Sequence, residues 1–105
     1  MIAVLVFPDF QLLDAAGPIS AFEHAVRIAR APTPIKIVSA TPGEVRSSSG
    51  VSLMARSFRA AAHAQTLLIA GGVGVDAAIR SKPTLSFIHA AARRGCRVAS
   101  VCSGA

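Results

Sequence analysis

Four short, largely aliphatic runs, "IAVLVF" (2–7), "IKIVSA" (35–40), "TLLIA" (66–70) and "RVASV" (97–101), constrain the fold of this chain more than any other feature. All four read as buried strands. Three are apolar throughout or nearly so, a pattern suited to a parallel sheet covered on both faces and not to a half-wet hairpin. The segments between them carry a helical period. In "GPISAFEHAVRIAR", Ile19, Phe22 and Val26 recur at i, i+3 and i+7, and Pro18 fits a first helical turn. In "KPTLSFIHAAARRG", Leu85, Ile88 and Ala92 form the apolar stripe between Pro83 at the start and Gly95 at the end. "VDAAIR" adds a short helical turn before it, and "FRAAAHA" another before the third strand. Residues 41–56 break the alternation and read as a small exposed hairpin, a side excursion. Strand and helix in alternation imply right-handed crossovers onto a doubly wound α/β sheet.

With 105 residues the chain makes one domain at most, and 52% hydrophobic against 15% charged residues mark a packed globular sequence and not a disordered one. No charged segment precedes a long apolar run, so neither a membrane span nor a secretory signal is expected, and the cytoplasm is the default location. The net charge of +6 is spread along the chain. Its one adjacent pair, Arg93 and Arg94 before Gly95, is what the carbonyl end of a helix favours. Nothing in these residues has the pattern of a nucleic-acid-binding motif. Cys96 and Cys102 lie roughly 20 Å apart if the chain between them is extended. A disulfide needs Cα atoms within about 7 Å, so these two cannot pair. The histidines at 24, 63 and 89 show no metal-ligand spacing and read as structural or exposed.

In doubly wound sheets, ligands bind beyond the carboxyl ends of the strands. Three strands here deliver chemistry to that edge: Asp14 after the first, "GGVGVD" after the third, and "CSGA" after the fourth. The small residues Ser103, Gly104 and Ala105 let the chain turn sharply after the strand, which makes Cys102 either an exposed elbow nucleophile or a small buried hydrophobe. Asp14 is either a helix-start carboxylate or a partner of the thiol or a ligand. Gly72 to Ala77 also spells G-x-G-x-x-A, but the acid that a dinucleotide fold needs about twenty positions on is missing. Close backbone approach, with an N–H of Gly71 or Gly72 aimed at a developing oxyanion, is the better use of these glycines.

The phrases "VFPDFQLLDAAGPISAFE", "VRSSSGVSL", "TLLIAGGVGVDAA" and "GCRVASVCSGA" resemble the opening half of a ThiJ/PfpI domain of the class I glutamine amidotransferase-like superfamily. They are most similar to the amino-terminal domains of AraC-type transcriptional regulators, with isonitrile hydratases as near relatives. The resemblance implies a flavodoxin-like sheet with Cys102 on a nucleophile elbow, Gly71, Gly72 and Val73 in an oxyanion or ligand-binding loop beside Ser103, and Asp14 facing the thiol. In the hydratases the matching Asp and Cys carry catalysis. Three positions depart from the pattern: Ser103 stands where Thr usually follows the Cys, Ala70 where Pro is common, and Ser20 where an acid often occurs.

The expected function is therefore the ligand-sensing domain of an AraC-type regulator, without catalysis, with a cysteine-dependent isonitrile hydratase or amidase-like enzyme as the alternative. The resemblance implies no cofactor and an unknown small-molecule ligand. DNA contact belongs to a carboxyl-terminal helix-turn-helix portion. A family domain runs on for roughly another 80 to 100 residues, so the chain is expected to be truncated after the elbow and to self-associate through exposed apolar surface.

Overall fold

The computed structural model describes all 105 residues. Strand β1 (Ile2–Leu5) is central because its residues 3–5 are apolar and can be covered on both faces. It pairs in parallel with β2 (Ile35–Val38) on one side and β5 (Thr66–Ile69) on the other. The edge strand β6 (Arg97–Ser100) extends the sheet beside β5, giving the order β2-β1-β5-β6. All three pairings are parallel, with Leu5 opposite both Val38 and Ile69.

Helix α1 (Leu12–Ala29) connects β1 to β2, and α3 (Lys82–Arg93) connects β5 to β6. The two connections run in opposite directions along the sheet, so right-handed crossovers place them on opposite faces. The strand order therefore reverses between β1 and β5, and the crevice above that pair is the topological switch point. Ser81 caps α3 by accepting from the Thr84 N–H, and Gly95 takes the left-handed φ of 84° just past its end. Phe58, in a 3-10 turn over Phe58–Ala61, stacks on Phe87 of α3 with ring centroids 4.2 Å apart.

Four sequence expectations need correction. Pro18 does not open α1. The helix starts six residues earlier, with Gln11 extended at its N-cap, because "LLDAAG" continues the helix and proline forfeits only one backbone bond, the one the Asp14 carbonyl would accept. Strand β6 forms where expected but is exposed at all four residues, since it has one neighbour and carries Arg97, Ala99 and Ser100 in place of large aliphatics. The buried face of α3 is Thr84 and Ala91, flanked by Phe87 and Ile88, while Leu85 and Ala92 are exposed. Finally, the hairpin of β3 (Gly43–Arg46) and β4 (Ser52–Ala55) forms its own two-stranded sheet outside the parallel one, as expected of an excursion, but it is not wholly exposed. Its alternation buries Val45 and Ser47. The Asp9 N–H donates to the Arg46 carbonyl at 2.9 Å, and the Ser48 N–H to the Phe10 carbonyl at 3.0 Å, strapping the hairpin to the loop after β1.

Candidate functional site

Three loops converge above the switch point: residues 6–11 after β1, 70–74 after β5, and 101–105 after β6. Backbone bonds lock them together. The Ala70 N–H donates to the Leu5 carbonyl at 3.1 Å, the Gln11 N–H to the Gly71 carbonyl at 2.8 Å, the Gly74 N–H to the Asp9 carbonyl at 3.1 Å, and the Val101 N–H to the Ile69 carbonyl at 3.0 Å. Approach this close is what the glycines permit. A Cβ on Gly72, at φ 127°, would lie 2.5 Å from the Gln11 nitrogen. One on Gly71 would lie 2.7 Å from the Val101 oxygen and 2.9 Å from both Asp14 Oδ2 and the Ser103 nitrogen. The carboxylate, the glycine loop and the elbow thus meet around Gly71.

The side chains close the same junction. Asp14, half-buried in the first turn of α1, accepts the Gly71 N–H on Oδ2 at 3.1 Å. Ser103 Oγ accepts the Gly72 N–H at 3.0 Å and stands 3.5 Å from the Gly72 carbonyl, to which it can donate. Both loop amides are therefore taken by the protein's own side chains, and neither points into open space. Asp14 is directed at the backbone beneath the elbow.

Cys102 turns at a left-handed φ of 54°, a conformation that costs a non-glycine residue of order 1 kcal/mol or more and recurs at nucleophile elbows. It is exposed, which removes the buried-hydrophobe reading, and neither cysteine is bridged. The elbow leads into a three-residue 3-10 turn, Cys102–Gly104. Cys102 borders an open hollow of about 460 Å³ lined also by Gln11, Gly72, Val73, Val75, Asp76 and Ser103. Of the residues expected from the sequence, Gly72, Val73, Cys102 and Ser103 border this hollow, whereas Asp14 and Gly71 support it from below. Gln11 and Asp76 join them, although the sequence alone assigns neither a role; both lie within stretches that stand out in it, "VFPDFQLLDAAGPISAFE" and "GGVGVD", each at or just after the loop that leaves a buried strand. Helix α2 (Val75–Ala78) has only four residues, which fits the rejection of a dinucleotide fingerprint at Gly72–Ala77. His24 and His89 sit exposed on α1 and α3, and His63 borders a separate hollow with Cys96 at the opposite end of the sheet. No group of three His, Cys, Asp or Glu residues is placed to hold a metal.

A parallel sheet with a strained cysteine elbow at the edge of its switch point defines a doubly wound α/β protein of the flavodoxin-like class. The chain belongs to the DJ-1/PfpI family, whose model matches residues 1–105. It is 41% identical over 109 residues to a protein from Streptomyces lividans described as an uncharacterized protein in the cpoL 5' region, covering 99% of this chain and 74% of that one. A ThiJ/PfpI family protein from Pseudomonas syringae superposes with a TM-score of 0.82 at 29% identity, over 98% of this chain and 42% of that one. An AraC family transcriptional regulator from Pseudomonas putida gives 0.79 at 17% identity, over 98% of this chain and 56% of that one. The chain thus spans about half the length of these two solved proteins or less.

Proposed function

We propose that this chain is the ligand-sensing part of an AraC-type transcriptional regulator and does not itself catalyse. The observation that carries this reading is the state of the two loop amides. An oxyanion hole needs donors free to meet the charge that develops in the transition state, and here Gly71 and Gly72 donate to Asp14 and Ser103 instead. No histidine lines the hollow that Cys102 borders. An exposed thiol above a loop whose Gly71 and Gly72 amides are already bonded suits reporting on a bound molecule more than attacking one. The fold likeness to the P. putida regulator is consistent with this role. DNA contact is assigned to a helix-turn-helix portion of such a regulator and not to these residues, and the cytoplasm is its place of action. No helix of the chain is long and apolar enough to cross a membrane.

The strained φ of Cys102 favours a second reading, a cysteine-dependent isonitrile hydratase or amidase-like enzyme. Isonitrile hydration by the purified chain, measured beside the Cys102→Ala variant, separates the two. The sensor reading expects equal background rates; rapid hydration lost in Cys102→Ala would overturn it.

A further inference from the structure

A second crevice, of about 240 Å³, opens between the end of β2 and the start of α3, on the far side of Gly74 from the thiol hollow. Phe7 and small apolar residues form one wall; Ser39, Thr41, Ser81 and Thr84 supply four hydroxyls. Ser39 is the informative one. It is only 1% exposed, yet its hydroxyl takes part in none of the chain's side-chain hydrogen bonds, where Ser81 and Thr84 pair at 2.9 Å. No fully sealed side-chain polar atom lacks a partner, so the remaining exposure of Ser39 lies on Oγ and opens into the crevice. The Ser81–Thr84 pair shares one proton, which leaves one further O–H free whichever residue donates.

We propose that this crevice binds a small neutral polyol, held between the Ser39 hydroxyl and the Ser81–Thr84 pair with its carbon skeleton against Phe7. Its lining includes no charged residue, so an ionic ligand would find no counter-charge. The first turn of α3 is also poor in donors for an anion: Thr84 N–H is turned to Ser81 Oγ, Leu85 N–H to the Ser81 carbonyl, and Pro83 has none. At about 30 Å³ for each water-sized group, the volume suits a molecule of about eight non-hydrogen atoms. The Ser39 hydroxyl has no partner within the chain and faces the crevice, so a ligand hydroxyl can pair with it in place of water. This proposal does not rest on the regulator reading, because none of its residues touches Cys102.

Titration of the ¹⁵N-labelled chain with glycerol tests it. The expected result is saturable, millimolar shifts confined to the amides of Ser39, Thr41, Gly74, Ser81 and Thr84. Ser39→Ala should weaken binding roughly tenfold while keeping its urea midpoint, because the hydroxyl makes no internal bond. Thr41→Val, at the exposed rim, gives a second variant that keeps the fold and should also weaken binding. Cys102→Ala should bind as the unaltered chain does, whatever the outcome of the hydration assay. Shifts that rise linearly across the whole chain, saturation that both Ser39→Ala and Thr41→Val leave intact, or inorganic phosphate moving the same amides at lower concentration would each overturn the proposal.

Discussion

Replacing Asp14 by Ala removes the one side chain that joins the first turn of α1 to the glycine loop. The bond at stake is a backbone N–H donating to a carboxylate at 3.1 Å. Such charge-assisted bonds contribute about 1.5–3 kcal/mol, and the residue left without a partner, Gly71, is buried. Because Asp14 is only half-buried, water offsets part of the loss, and about 2 kcal/mol is the expected destabilisation. At about 2.1 cal/mol/K of unfolding entropy per residue, a chain of this length changes by roughly 0.2 kcal/mol per degree, so Tm should fall by about 10 °C. Asp14→Asn keeps an acceptor oxygen in place and should lose about half as much. Thermal melts followed by circular dichroism at pH 7 measure both. Melts within about 2 °C of the unaltered chain for Asp14→Ala, or equal losses for Ala and Asn, would refute the assignment of this bond as the link between helix and loop.

Other substitutions probe the same junction and its surroundings. Gly72→Ala places a Cβ against the Gln11 nitrogen at a φ of 127°, and should cost at least about 3 kcal/mol in urea unfolding. Cys102, exposed, should be alkylated by iodoacetamide before Cys96, which is half-buried, as mass mapping of partially labelled chain will show. Arg94→Ala removes bonds to the Ala61 and Ala64 carbonyls at 3.4 and 3.0 Å and should cost about 1–2 kcal/mol by denaturant midpoint. Glu23→Ala breaks a solvent-exposed pair with Arg27 on α1 and should change stability by no more than about 0.5 kcal/mol.

The four parallel strands and the two main crossovers are legible in the aliphatic runs because burial on both faces leaves a continuous apolar signature, as in residues 3–5 of β1. Edge position leaves no such mark. "RVASV" reads as a core strand because its composition says nothing about how many neighbours it has, and in the fold it has one. Pro18 hides the true start of α1, since proline commonly opens a helix, yet a single interior proline forfeits only one backbone bond. The hydrogen bonds that tie the hairpin to Asp9 and Phe10 run between backbone groups, which side-chain patterns do not encode. At the site, the residue types are legible from their places after strands, but the hydrogen bonds they spend are not. Asp14 and Ser103 find their amide partners in a loop 31 or more residues away, and only the folded chain sets that pairing.

Amide hydrogen exchange at Gly71 and Gly72 tests the central claim most directly. Donors held by Asp14 Oδ2 and Ser103 Oγ should exchange far more slowly than the exposed Val73 amide, and each should lose its protection in the matching Asp14→Ala or Ser103→Ala variant. Exchange of both at the rate of an unstructured peptide would mean that the loop keeps its donors open, as a catalytic oxyanion site requires, and would contradict the sensor account.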